Sequence, residues 1–164
     1  MTVNPMTADY LTLKQAVLSN DFAWYVNRSS CDDFDFYGHS FVNRPEVGDV
    51  PIPTMNSELA PLALRVLSQV CEANGITVHC VYRMAANSIT PTAGSPRFSE
   101  PHVDHEFPHT NLLIHLTDVG GATVVEGQRL EAGEDGVVVF TGEHFAEFPT
   151  SGRRVVLVAT FLRA

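Results

Sequence analysis

Residues 136–162 read GVVVFTGEHFAEFPTSGRRVVLVATFL. Two apolar runs, Gly136–Phe140 and Val155–Leu162, are separated by a stretch holding Gly142, Pro149, Ser151 and Gly152. Short runs rich in valine and bounded by glycine and proline are the pattern of strands. Toward the N-terminus the same cadence recurs at Ile76–Met84, Asn111–Leu116 and Thr123–Val125. No helical period interrupts these runs after Gly75. That excludes alternating βαβ units and predicts a sandwich or barrel over residues 76–164.

Residues 1–75 have a different character. Leu11, Ala16, Val17 and Leu18 predict a helix over Ala8–Ser19 with a modest apolar face. Leu59, Leu62, Ala63, Val66 and Val70 recur at three- and four-residue steps, predicting a second helix over Ser57–Asn74. Gly75 stands where a helix end favours positive φ. Phe22–Val26 and Asp35–Val42 read as strands, with Trp24 and Tyr25 as core residues. Arg44–Pro53, with three prolines, is a loop, and Thr90–Glu100 is a surface loop that can serve as a lid. The chain is therefore expected to be mostly β with N-terminal helices. It forms one domain (1–164) in which residues 1–75 support a jelly-roll-like core.

Composition limits the function classes. The 164 residues carry 19 Asp and Glu against 10 Lys and Arg, a net charge of −9. A negative field argues against nucleic acid and anionic membranes as partners, unless Arg83, Arg97, Arg129, Arg153 and Arg163 cluster locally. The longest apolar stretch, Val155–Leu162, is too short to span a membrane, and no signal peptide is visible. Cys31, Cys71 and Cys80 show no CxxC spacing, which reads as buried thiols in a reducing, cytoplasmic setting. On the same ground Asn27-Arg28-Ser29 is a chance sequon.

The histidines carry the chemistry. Five of seven, His102, His105, His109, His115 and His144, lie in the C-terminal half. In extended chain His102 and Asp104 project to one side, so an imidazole and a carboxylate converge. His144, just beyond the run Gly136–Phe140, is the candidate third ligand. Two histidines and one carboxylate form a facial triad with open coordination positions, suited to non-haem Fe(II). His105-Glu106-Phe107-Pro108-His109 matches HExxH, the zinc-protease motif, but that motif works only on a helix, which Pro108 opposes. These residues are instead expected at the rim of a site. On the last strand Arg154, Val156, Val158 and Thr160 share one face and Val155, Leu157, Ala159 and Phe161 the other.

The ordered set of HxD at 102–104, Gly120-Gly121-Ala122-Thr123, the run 136–140, His144 and a basic residue opening the last strand resembles the Fe(II)/2-oxoglutarate-dependent oxygenases. The nearest likeness is to the prolyl-hydroxylase-like branch and its small bacteriophage-encoded members. It covers Pro101–Leu162 strongly, and Leu18–Tyr25 and the second helix more loosely. The resemblance implies a double-stranded β-helix core of the cupin or jelly-roll type. It also implies Fe(II) on His102, Asp104 and His144, with 2-oxoglutarate and O2 as cosubstrates and ascorbate as a supporting reductant. Arg153 and Arg154 compete to bind the distal carboxylate of 2-oxoglutarate, and matching Arg-Val-Val-Leu to the family's final strand selects Arg154. His115 falls where many members carry a cosubstrate-binding tyrosine, and Asn87 resembles another position near the cosubstrate, the alternative being a turn asparagine. The implied reaction hydroxylates a C–H bond of a peptidyl or small-molecule substrate and releases succinate and CO2, in the host cytoplasm if the chain is phage-encoded. The competing readings are a non-catalytic metal- or ligand-binding jelly roll, as in a viral structural protein, and an oxygenase acting on nucleic-acid bases. In so short a chain, specificity is expected from loops such as Thr90–Glu100 and Glu106–Thr110. Oligomeric state is not legible.

Overall fold

A computed structural model describes residues 2–27, 36–45, 52–91, 94 and 97–164. Helices α1 (Ala8–Leu18) and α2 (Ala60–Ala73) pack on the larger of two sheets. The larger sheet has the order β1 (Tyr25–Asn27), β2 (Phe36–Asn43), β4 (Val78–Ile89), β10 (Arg154–Arg163), β5 (Thr110–His115) and β8 (Val137–Phe140), and β3 (Thr54–Met55) also pairs with β2. The smaller sheet has the order β7 (Gln128–Leu130), β6 (Thr123–Val125) and β9 (His144–Ala146). Every pairing is antiparallel. The two facing sheets make the expected double-stranded β-helix.

Alternation along β10 sorts the interior into two clusters. Val155, Leu157, Ala159 and Phe161 point away from the smaller sheet and join Met84, Ala86, Leu112 and Ile114 beneath the helices. Val156 and Val158 point the other way and meet Leu113, Val138 and Phe140 between the sheets. Helix α2 contributes Ala60, Ala63, Val66, Leu67, Val70 and Cys71 to the first cluster. Its end is closed by Gly75 at φ 63°, as its position predicts. Helix α1 contributes Tyr10, Leu13 and Val17. Each buried leucine or valine among them contributes about 1.5–3 kcal/mol on burial. Tyr10 also donates its hydroxyl hydrogen to Asp135, and Lys14 pairs with Glu134 and Asp135, which fastens α1 to the turn before β8.

Several expectations are corrected. The buried face of α1 is not the one predicted: Leu11 is exposed, and of the four residues named only Val17 is fully buried. Tyr25 is 64% exposed on an edge strand, whereas Trp24 does pack against the core. The first strand begins at Tyr25 rather than Phe22, because Phe22 turns inward against Trp24, His39 and Phe41. Strand β4 runs five residues beyond Met84, to Ile89. Cys71 is buried, and burial lifts its thiol to about 11, but Cys80 is exposed; Cys31 lies outside the described residues. The three-residue strands β7 and β9 were not foreseen. The β6–β7 hairpin turns at Glu126 and Gly127, both at positive φ, and Glu is not a residue that advertises such a turn. Among the described residues no helix is long and apolar enough to cross a membrane.

Candidate metal centre and its pocket

Where β9 begins, the chain reverses at Gly142 (φ 94°) and brings His144 alongside an extended segment around residue 102. His102 and His144 exchange both backbone hydrogen bonds, each 2.9 Å, forming an isolated antiparallel bridge. Directly paired residues show their side chains on one face, so the two imidazoles meet with ring centres 4.5 Å apart. Two residues on from His102, Asp104 turns its carboxylate to the same point. One donor atom from each of His102, Asp104 and His144 lies within 4.8 Å of the others, close enough for one ion to touch all three.

Backbone carbonyls prepare both imidazoles. Nδ1 of His102 donates to the Glu100 carbonyl (3.0 Å), and Nδ1 of His144 donates to the Gly142 carbonyl (3.2 Å). A carbonyl can only accept, so each ring carries its proton on Nδ1 and leaves the Nε2 lone pair for a metal. His144 Nε2 stands 3.5 Å from Asp104 Oδ2. Burial lowers the His144 imidazole despite the opposing pull of Asp104, which favours the neutral, ligating form.

Asp104 is held from the other side. Its Oδ1 accepts from Arg83 Nη1 (3.1 Å) and Arg44 Nη2 (3.3 Å), leaving Oδ2 toward the histidines. Burial alone would raise this carboxyl, but Arg83 above all, with His144, His102 and Arg44, holds it below the usual carboxylate range. Sequence reasoning missed both arginines. Arg83 appeared only as one member of a surface patch, and Arg44 only as the start of a loop.

Arg154 lies on the face of β10 predicted for it and is only 4% exposed. Among the described residues its one side-chain hydrogen bond is a long one from Nη2 to Thr123 Oγ1 (3.4 Å), and its Nε is buried without a partner. It has no carboxylate partner among the described residues, and burial pushes its guanidinium down to about 10. Room for its stem comes from Gly121, at φ 83°, where a Cβ would stand 3.3 Å from Arg154 Cδ and 2.5 Å from the Glu147 carbonyl oxygen. Arg153 instead lies over the Trp24 ring, 5.2 Å from its centre, so it is not a purely solvated charge.

His102, Asp104, His144, Arg83, Arg44 and Arg154 all line one cavity of about 710 Å³. Asn87 lines it too, from within β4 near its C-terminal end, opposite Gly38 and Val156, which removes the turn reading. His115 faces the same side, paired with Val156 across the β5–β10 ladder. It is fully buried rather than a cavity-lining residue, and its Nε2 has no partner. Burial and the nearby Arg154 charge lower it to about 4, so it is neutral at ordinary pH.

The HExxH stretch forms no helix. His105 is not at a rim but buried, with Nε2 2.8 Å from Thr160 Oγ1, and it stacks on Phe107. The proposed basic cluster does not form either: Arg83 is committed to Asp104, and Arg97 and Arg129 share Glu147. Residues 92, 93, 95 and 96 of the predicted lid loop lie outside the described residues. Its end is anchored, with Ser99 N–H donating to the Ala146 carbonyl at 2.9 Å.

No model of a known protein family matches the sequence, nor does any curated protein. Solved structures do share the fold. A 2OG-Fe(II) oxygenase family oxidoreductase from Burkholderia pseudomallei matches with a TM-score of 0.63 at 14% identity, over 93% of this chain and 76% of that one. The non-heme alpha ketoglutarate dependent epimerase SnoN from nogalamycin biosynthesis matches with a TM-score of 0.58 at 16% identity, over 94% and 71%. A Pseudomonas putida prolyl-4-hydroxylase matches with a TM-score of 0.55 at 13% identity, over 95% and 85%. The chain therefore has the double-stranded β-helix fold seen in 2-oxoglutarate-dependent oxygenases, with a two-histidine, one-carboxylate candidate centre in its cavity.

Proposed function

We propose that this protein is an Fe(II)- and 2-oxoglutarate-dependent dioxygenase that hydroxylates a C–H bond of a small-molecule or peptidyl substrate. The observation that carries this reading is the pairing of two features in one cavity. One is the histidine–aspartate–histidine cluster with its Nε2 lone pairs free. The other is Arg154, a buried cation with no counter-ion among the described residues. A metal-binding jelly roll without 2-oxoglutarate has no use for that cation, which costs stability unless an anion meets it. Fold alone decides nothing here, since function resides in the site.

In this reading His102, Asp104 and His144 hold Fe(II), and Arg154 receives the distal carboxylate of 2-oxoglutarate through its planar fork. Bound together with O2, these groups supply oxidative decarboxylation, releasing succinate and CO2 and delivering an oxygen atom to the substrate. The chain orients and shields. The Glu100 and Gly142 carbonyls fix the ring tautomers, and Arg83 keeps Asp104 Oδ1 occupied. Leu113, Val156 and Val158 give the cavity an apolar wall that excludes water. Asn87 is the further residue assigned to the cosubstrate end, and His115, a neutral imidazole that does not line the cavity, would act from behind through Arg154. Ascorbate would keep the metal reduced between turnovers, and kinship with the phage-encoded branch belongs to this proposal as well.

Anaerobic titration of the protein with Fe(II) and 2-oxoglutarate tests the reading. A visible metal-to-ligand charge-transfer band is expected in the wild type and absent in Asp104→Ala and Arg154→Met. Admitting O2 should then release succinate. No band, with unchanged metal affinity in His102→Ala, would leave the non-catalytic jelly roll as the better account.

A further inference from the structure

The protein is acidic, yet its cavity is not. Among the described residues that line it, the fully charged side chains are Arg44, Arg83, Arg154 and a single carboxylate, Asp104. On the oxygenase reading, a divalent metal with Arg44, Arg83 and Arg154 carries five positive charges, against three negative charges on Asp104 and the 2-oxoglutarate dianion. Two positive charges beside the reacting centre are then left without an anion. Arg83 is deep, with its side chain 16% exposed, and sits 3.1 Å from Asp104. Arg44 shares that partner but is more exposed and more loosely held.

Arg44 follows the last residue of β2, lines the cavity and reaches Asp104. Its two contacts, Nη1 to the Asp104 carbonyl and Nη2 to Asp104 Oδ1, are both long at 3.3 Å, and its side chain remains 31% exposed. Its Nε–H and remaining guanidinium hydrogens have no partner among the described residues. Since Arg83 already neutralises Asp104 at closer range, Arg44 has fork geometry to spare on the cavity side. Asn43 and Asn56 stand beside it in the lining and add amide hydrogen-bonding groups. A guanidinium with open donors, flanked by amides in a partly desolvated cleft, is built to take an oxyanion bidentately.

We propose that the substrate carries an anionic oxygen group, a carboxylate or a phosphate-like oxyanion, and that Arg44 is the residue that selects it. This rests on the oxygenase reading above. It places the substrate's charged end at Arg44, near the metal ligands, and the C–H bond to be oxidised within a short molecule's reach of that end. Small acids, free amino acids and peptide C-termini meet the requirement; their primary amides do not.

The test uses the full chain loaded anaerobically with Fe(II) and 2-oxoglutarate, followed by perturbation of its charge-transfer band. The probes are free and N-acetylated amino acids, the matching primary amides, and inorganic sulfate as a tetrahedral oxyanion. At least one acid or sulfate should bind saturably to the wild type, with acids at least roughly tenfold tighter than their amides, as charge-assisted bonds require. Tighter acids than sulfate would identify a carboxylate, and the reverse a phosphate-like group. The acid-to-amide ratio should fall to near one in Arg44→Gln and recover in part in Arg44→Lys. Because each ratio is taken within one variant at saturating metal, a change in metal affinity cannot imitate it. Equal binding of acids and amides, a ratio that survives Arg44→Gln, or no binding of any anionic probe would each overturn the proposal. Loss of the 2-oxoglutarate band from the wild type is a separate result, and it would overturn the oxygenase reading itself.

Discussion

Replacing Arg154 by methionine should stabilise the ligand-free protein while removing its response to 2-oxoglutarate. Burial brings the guanidinium down to about 10, with no compensating charge among the described residues. At about 1.4 kcal/mol per tenfold change in proton affinity, keeping that group charged costs the folded state about 3 kcal/mol. Methionine retains an unbranched stem of similar length and carries no charge to desolvate. The variant leaves Thr123 Oγ1 without its 3.4 Å donor, a loss of about 1 kcal/mol. The net gain is about 2 kcal/mol, or about 4–8 °C in melting temperature for a chain of this size. With Fe(II) present, wild type should gain about 2.7 kcal/mol from 2-oxoglutarate at a hundred times its dissociation constant, and Arg154→Met should gain nothing. Calorimetric melting of both proteins, with and without cosubstrate, measures all four values. An Arg154→Met protein less stable than wild type without ligand would refute the view of Arg154 as an uncompensated charge. Full cosubstrate stabilisation of that variant would refute its role.

Three other outcomes follow from the same geometry. Asp104→Ala and His102→Ala should both abolish tight Mn(II) binding in titration calorimetry, but only Asp104→Ala strands the buried Arg83, destabilising the metal-free fold by about 3 kcal/mol while His102→Ala stays within about 1 kcal/mol. His115, lowered from 6.5 to about 4, binds its proton more readily in the unfolded chain. Its contribution is therefore complete above pH 6.5 and is lost as pH falls toward 4, by up to about 3 kcal/mol, so denaturant titrations of His115→Leu should show a flatter acid limb over that window. Gly121→Ala drives a Cβ into the Glu147 carbonyl at positive φ and should cost more than about 2 kcal/mol in urea unfolding. Gly120→Ala, also at positive φ but with nothing within 4 Å, should cost about 1 kcal/mol.

What could be read from sequence was whatever is local or periodic. The two faces of β10, the α2 stripe, the cap at Gly75 and the convergence of His102 with Asp104 all follow from spacing along the chain. Pro108 and the loop-and-strand setting argue against HExxH as a helix motif, and that stretch is indeed not helical. What sequence concealed was set by contacts between distant segments. Arg44 and Asp104 are sixty positions apart, and Arg83 and Asp104 twenty-one, with no local pattern linking them. His105 is buried because Thr160, fifty-five residues on, offers it a hydroxyl. Strands β7 and β9 are too short for any period to show, and the exposure of Tyr25 depends on β1 lying at the sheet edge. Helix α1 misled because its apolar residues are spread around the axis, so only packing chooses the buried side.

The alternation along β10 gives this chain an unusual division of labour. One set of side chains on that strand anchors the helices, and the interleaved set furnishes the walls of the cavity. Most of the apolar burial thus lies behind the larger sheet, outside the cavity. Natural variation or laboratory evolution can consequently resculpt the cavity without jeopardising the scaffold. A saturation-mutagenesis survey of residues 154–161 would display that independence as two interleaved series: abundance tracking Val155, Leu157, Ala159 and Phe161, and ligand preference tracking Arg154, Val156 and Val158.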